Sequence, residues 1–166
     1  MNPGPGTATL TLVHILLSLL GIASGFVVVW GMLTARRLPV WTAIFLVTTA
    51  LACLTGFLFP FHGMTLSIEM GIPTLAVVML AAIDRYTGLF AGMWRHTYVV
   101  SVMIALYCTV FVLVAQIFAK FLAPNARTPW EYGRLFKLAE LALFALFGIT
   151  TYLALKKFHG RPGHTL

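Results

Sequence analysis

Five long apolar runs dominate this sequence of 166 residues, and short segments rich in charge, proline or glycine separate them. A helix that crosses about 30 Å of hydrocarbon needs roughly 20 apolar residues at 1.5 Å each. Because lipid offers no hydrogen bonds, each crossing must pair its backbone groups internally, as a helix does. We therefore predict five transmembrane helices, at about residues 10–33, 40–59, 66–83, 98–122 and 129–157.

The composition agrees with burial in lipid. Apolar residues make up 60% of the chain and charged residues only 9%, whereas a soluble domain carries about 25% charged residues. We therefore expect a single all-α integral membrane domain over residues 1–166, with the lipid bilayer as its main partner. The net charge of +7 does not indicate nucleic-acid binding, because no basic cluster has the aromatic context that such binding needs.

The ends of the first and last runs carry distinct signals. No basic residue precedes the first run, which is also longer than the apolar part of a signal peptide, so we expect a retained span. The last run follows Thr128, Pro129 and Glu131, which are placed as a capping hydroxyl, a first-turn proline and a capping carboxylate. This pattern predicts that the fifth helix begins near Pro129.

The basic residues predict an orientation. With the N-terminus outside, seven lie in cytoplasmic segments and four in outer ones, which favours N-out, C-in by the positive-inside rule. The seven are Arg36, Arg37, Arg85, Arg95, Lys156, Lys157 and Arg161. The four are Lys120, Arg127, Arg134 and Lys137.

Small residues on two helices predict helix packing. Between helices in lipid, close contact through small side chains replaces the hydrophobic effect. Ser18, Gly21 and Gly25 share one face of the first helix, and a second set lies on one face of the second helix. The second set is Thr48, Ala52, Thr55 and Gly56. We expect these faces to meet each other or a shared neighbour, with homo-oligomerisation through Gly21 and Gly25 as the alternative.

Six polar residues are unusual for a membrane bundle, and topology places them all in its outer third. They are His14, His62, Glu69, Gln116, Lys120 and Glu140. An ionisable residue in lipid is costly and marks a functional candidate by default. Their convergence predicts a proton-, ion- or small-ligand-binding site near the outer face.

Each of these residues also has a purely structural interpretation. His14 fits a helix-end histidine bonded to a neighbour, and His62 fits an interfacial turn. Lys120 can extend to the interface, Glu69 can stabilise a helix N-terminus, and Glu140 can pair with a lysine on its own helix or across the bundle. The two cysteines, Cys53 and Cys108, match no metal-binding spacing and are interpreted as buried small residues.

These observations favour a non-enzymatic membrane component, an accessory or small binding or transport-type protein. The sequence carries no nucleophile triad, metal-hydrolase motif or nucleotide-binding loop. The alternative is a b-type haem redox protein with His14 and His62 as axial ligands. A membrane enzyme that uses a histidine and a glutamate for acid–base chemistry ranks third. A larger membrane complex is compatible with each alternative.

Two segments carry a resemblance. Residues 55–65, with the sequence TGFLFPFHGMT, and residues 110–124 resemble segments of small, uncharacterised multi-pass bacterial integral membrane proteins. The resemblance implies a location in the bacterial inner membrane, with the outer face of the bundle toward the periplasm. It implies no activity.

Overall fold

The structure, a computed structural model, describes residues 5–59, 66–86, 93–122 and 133–158. All secondary structure in these ranges is helical, which confirms the predicted fold class at this level. The five α-helices are α1 (Pro5–Leu33), α2 (Pro39–Phe57), α3 (Leu66–Tyr86), α4 (Met93–Ile117) and α5 (Gly133–Lys157). A π-helical turn, Phe118–Leu122, extends α4.

Four of these helices are long and apolar enough to cross a membrane, namely α1, α2, α4 with its π-helical turn, and α5. They indicate a multi-pass membrane protein. The described side chains of α3 include Glu69, Asp84 and Arg85, and α3 is not among the four. A fifth crossing through α3 therefore stays a prediction.

Several helices differ from the apolar runs in length. The first helix begins at Pro5 rather than near residue 10, α3 extends to Tyr86, and α4 begins at Met93 rather than near residue 98. Backbone hydrogen bonding continues beyond the last apolar side chain, whereas an apolar run marks only the stretch that suits hydrocarbon. The second helix ends two residues early, at Phe57, where the Leu58 amide donates to the Thr55 carbonyl at 3.2 Å.

The described part of α5 begins with a glycine in an unusual backbone conformation. Gly133 has φ of 83°, a left-handed conformation that interrupts a right-handed helix and that glycine adopts without steric cost. Gly133 is also the first described residue of α5, so a start of this helix near Pro129 stays a prediction. The predicted capping residues Thr128, Pro129 and Glu131 lie outside the described residues.

Two glycines of α1 determine how closely the central helices approach. A Cβ atom on Gly21 would lie 3.0 Å from the Thr49 hydroxyl oxygen and 3.4 Å from that of Thr48, both on α2. A Cβ atom on Gly25 would lie 2.6 Å from Leu106 of α4 and 3.0 Å from the Phe45 ring of α2. The small-residue faces of α1 and α2 thus lie against each other, and α4 also packs against Gly25.

The most buried helix is α4, which packs against α1, α3 and α5. Its contact with α5 is aromatic. The Tyr107 and Phe147 ring centroids lie 5.6 Å apart, and those of Phe118 and Phe136 lie 5.3 Å apart. The opposite face of α5, with Leu138 and Ile149, is exposed and suits contact with lipid.

Candidate ligand-binding cavity

A cavity of about 400 Å³ lies among α1, α2, α3 and α4, at the end of the bundle where α1 begins. We call it the His14 cavity. Most of its wall is apolar, including Ile15, Ile22 and Leu113. The polar residues in the wall are Thr11, His14, Ser18, Thr49, Thr74, Thr109, Gln116 and Lys120. A mostly apolar cavity with a few polar groups is typical of a small-molecule site.

A hydrogen bond to α2 holds His14 in place. The distance from His14 Nδ1 to Thr55 Oγ1 is 3.1 Å. The Thr55 hydroxyl proton is directed at backbone carbonyls, with Leu51 O at 2.8 Å and Ala52 O at 3.0 Å. Thr55 Oγ1 therefore accepts from His14 Nδ1–H, so in the neutral imidazole the proton lies on Nδ1. Nε2 is left as a hydrogen-bond acceptor.

The His14 ring is also held by shape. A Cβ atom on Gly56 would lie 3.4 Å from His14 Cε1, so the absence of a side chain at this position leaves room for the imidazole. The Phe59 ring meets the imidazole edge-on, with the ring centroids 5.6 Å apart. The ring therefore has a fixed plane and a fixed donor, which is the pre-organisation that a binding site requires.

Gln116 of α4 and Lys120 of the π-helical turn that extends it lie one turn apart and form a polar part of the facing wall. Lys120 belongs to the π-helical turn and is exposed, whereas Gln116 is half-buried. π-Helical turns are rare and occur frequently at functional sites. An ammonium and an amide at one end of an apolar cavity are suited to bind the oxygen atoms of a ligand.

Thr49 places an unpaired hydroxyl in the same wall. The residue is only 1% exposed, and its Oγ1 has no hydrogen-bond partner among the residues that the structure describes. Thr48 and Thr109 instead donate to the carbonyl four residues earlier, at 2.7 and 2.8 Å. An unpaired buried hydroxyl costs about 1–3 kcal/mol, so Thr49 lowers the stability of the helix contact beside the cavity.

Both cysteines line the His14 cavity, Cys53 on α2 and Cys108 on α4. Both are free thiols. Across the four ranges that the structure describes, no three histidine, cysteine or acidic side chains form a group that could hold a metal ion. The thiols contribute polarisable atoms to the wall of the cavity.

The structure brings together only part of the predicted polar set. His14, Gln116 and Lys120 line the cavity, whereas Glu69 is exposed on α3 and does not. Glu140 is half-buried on α5, one turn before Phe144, whose ring lies 6.1 Å from that of Tyr107. This position faces the α4–α5 contact rather than the cavity. His62 lies outside the described residues.

The residues predicted for packing divide into two groups. Gly21, Gly25 and Thr48 lie where α1 meets its neighbours. Ser18, Ala52 and Gly56 line the His14 cavity, and Thr55 anchors His14 beside it. The small residues therefore also form the cavity, because small side chains in the first half of α1 and the second half of α2 leave space between the helices.

Sequence reasoning did not identify Thr49, Cys53 or Cys108 as wall residues. A threonine in a helix ordinarily bonds back to its own backbone, and no sequence pattern distinguishes Thr49 from Thr48. The cysteines can be placed in the wall only when the rotation of α2 and α4 about their axes is known. The sequence does not give that rotation, because the middle of an apolar helix has no polar face.

Comparison with known proteins identifies no family. No family model matches the chain, and neither the curated proteins nor the solved structures include a significant match. The function must therefore be inferred from the geometry of the cavity.

Proposed function

We propose that this chain is a non-enzymatic multi-pass membrane protein that binds a small molecule in the His14 cavity. The observation that carries the proposal is the placement of His14, Gln116 and Lys120 around one end of an apolar cavity of about 400 Å³. The volume falls within the range of about 300–1,000 Å³ typical of ligand sites. The cavity forms between spanning helices, where an apolar ligand can enter from lipid.

The wall chemistry defines the ligand class. The apolar wall fits an aliphatic or aromatic body. At the polar end, Lys120 donates to an acceptor oxygen, Gln116 can donate and accept, and the Nε2 atom of neutral His14 accepts from a hydroxyl or a protonated acid. The ligand is therefore an apolar molecule with one oxygen-bearing polar end. Binding or handing on such a molecule suits an accessory or transport-type component.

The proposed location is the bacterial inner membrane, with the N-terminus and the His14 cavity toward the periplasm. The resemblance of residues 55–65 and 110–124 supports the bacterial membrane. The distribution of basic residues supports the orientation, since Arg36, Arg37 and Arg85 lie at the opposite end of the bundle from His14.

The proposal is tested by the small molecules that the protein retains. The full chain is purified in a neutral detergent, its bound molecules are extracted with organic solvent, and they are quantified by mass spectrometry. We expect the wild-type chain to retain one class of apolar molecule and the Lys120→Met variant to retain several-fold less. Lys137→Met is the matched control, because Lys137 is an exposed lysine of α5 outside the cavity wall.

Retention of the same molecules by the wild type and both variants would contradict the proposal, because it would show association with the lipid-facing surface. A wild-type protein that retains nothing beyond bulk lipid and detergent would contradict it as well. Thermal unfolding of each variant shows whether a lower content reflects a damaged fold.

The haem alternative keeps one supporting observation. The Nδ1–H of His14 is bonded to Thr55 and Nε2 is left as the coordinating atom, which is how proteins orient a metal-ligating histidine. A visible absorption spectrum of protein from haem-supplemented cells decides this alternative. A Soret band that is lost in His14→Ala would establish haem binding, and a colourless protein would exclude it.

A further inference from the structure

A second cavity, of about 330 Å³, lies at the opposite end of the bundle. We call it the Arg36 cleft. Three arginines line it, namely Arg36 and Arg37 between α1 and α2 and Arg85 near the end of α3. Apolar side chains, among them Met32 and Phe158, form the remaining surface. The sequence pattern had assigned these arginines only a role in setting the topology.

The lining of the cleft brings three positively charged side chains together. No acidic residue is among the residues that line it. Asp84 precedes Arg85 in the chain, but its side chain is fully buried, lies outside the lining and has no hydrogen-bond partner in the described part of the chain. Lys156 and Lys157 end α5 beside Phe158, at the same end of the bundle.

Arg85 is pre-positioned for recognition. Its Nη2 atom donates to the Pro39 carbonyl oxygen at 3.2 Å, and its Cζ atom lies 5.6 Å from the Tyr86 ring centroid. Arg85 Nε is buried and has no acceptor among the described residues. The guanidinium group is thus held in place at the edge of the cleft. Planar, fixed guanidinium groups match the geometry of phosphate oxygens.

Two further elements border the cleft, the start of α2 and α4. The first turn of α2 begins here at Pro39, and no side chain caps it. The positive end of the helix dipole therefore favours an anion at this place. On the facing helix, the Tyr98 hydroxyl donates to Thr42 Oγ1 at 3.4 Å, and Thr42 Oγ1 donates to the Leu38 carbonyl at 2.9 Å. This chain of bonds connects α4 to the start of α2.

We propose that the Arg36 cleft binds a phosphate group through Arg36, Arg37, Arg85 and the first turn of α2. Two sources share this chemistry, namely the headgroup of an anionic phospholipid and soluble phosphate. The ligand joins the α1–α2 connection to the end of α3.

The test measures thermal unfolding of the full chain in neutral detergent during titration with three probes. They are inorganic phosphate, a short-chain phosphatidylglycerol, and a short-chain phosphatidylcholine as the zwitterionic control. We expect an anionic probe to raise the unfolding temperature of the wild-type chain. In the Arg36→Gln/Arg37→Gln variant we expect the dissociation constant of that probe to rise about tenfold or more. Arg134→Gln/Lys137→Gln is the matched control, since it removes two positive charges near the start of α5, away from the cleft.

The arms distinguish the sources. A rise in unfolding temperature with phosphatidylglycerol alone identifies a lipid headgroup as the ligand, and a rise with inorganic phosphate identifies soluble phosphate. Either result supports the proposal if the Arg36→Gln/Arg37→Gln variant shows weaker binding of the same probe. Equal weakening in both double variants would overturn the proposal, because it would show non-specific attraction to charge. Absence of a shift with either anionic probe would also overturn it. Arg85→Lys keeps the charge but loses the planar fork, and we expect several-fold weaker binding.

Discussion

The two ends of the bundle carry cavities of similar size and opposite chemistry. The His14 cavity, of about 400 Å³, has a mostly apolar wall with one histidine, one amide and one ammonium. The Arg36 cleft, of about 330 Å³, has three guanidinium groups and no acidic residue in its lining. The first suits an apolar molecule with a polar end, and the second suits an anion.

The difference arises from where the polar side chains are attached. In the His14 cavity they project from within helices, and a helix-to-helix hydrogen bond from His14 to Thr55 positions the ring. In the Arg36 cleft the cations come from helix ends and from the α1–α2 connection, where arginine side chains remain near water. We therefore expect the His14 cavity to select its ligand mainly by shape and the Arg36 cleft to select mainly by charge.

The largest expected effect comes from a change that damages both cavities together. Gly25 lies between them on α1, and a Cβ atom there would meet Leu106 and Phe45, both of which are fully buried. We expect Gly25→Val to destabilise the protein by about 1–3 kcal/mol, since an overpacked core must shift. Thermal unfolding in detergent measures this loss.

Gly148 of α5 provides the control, because a Cβ atom there would meet nothing within 4 Å. Gly148→Ala should leave stability unchanged or raise it by up to about 1 kcal/mol, as alanine favours the helix. Equal destabilisation by the two substitutions would show that the close approach at Gly25 does not hold the bundle together.

An effect of intermediate size distinguishes the two cavities, namely the dependence of their ligand binding on salt concentration. Phosphate binding in the Arg36 cleft should weaken several-fold between 0.1 and 1 M sodium chloride, because the Debye length falls from about 10 Å to about 3 Å. Retention of the apolar molecule in the His14 cavity should change little over the same range. Titration of the cleft and mass spectrometry of the retained molecule provide the two readouts, and parallel responses would contradict the contrast.

The smallest effect concerns one hydroxyl group. Thr49→Val removes a buried hydroxyl that has no partner in the described part of the chain, so we expect the ligand-free protein to gain about 1 kcal/mol of stability. Thr48→Val is the matched control, because the Thr48 hydroxyl donates to the Ile44 carbonyl at 2.7 Å. A larger loss of stability in Thr49→Val than in Thr48→Val would show that the Thr49 hydroxyl is paired.

The helical architecture was predictable because lipid imposes a single requirement, namely long apolar runs with internally paired backbones. The α1–α2 contact followed from Gly21 and Gly25, whose spacing marks one helix face. Three of the six polar site residues line one cavity, but Glu69 and Glu140 lie elsewhere because depth in the membrane does not specify helix rotation. Rotation depends on the packing of α3 and α5, which no polar stripe encodes.

The Arg36 cleft was not predicted for a related reason. Positive charge near a helix end is expected for any membrane protein, and only the three-dimensional arrangement shows Arg85 reaching Pro39 across the α2–α3 contact. A topology signal and a binding site use the same residues, so the sequence alone does not separate them.

The central claim, that the His14 cavity is a ligand site, is tested most directly by an experimental density map of the protein in lipid nanodiscs, enlarged with a rigid binding protein. We predict a discrete, compact density in the cavity, within hydrogen-bond distance of His14 Nε2 or of Lys120 Nζ. A cavity that is closed by movement of α1 or α4, or that is filled only by acyl chains continuous with the surrounding bilayer, would contradict the account.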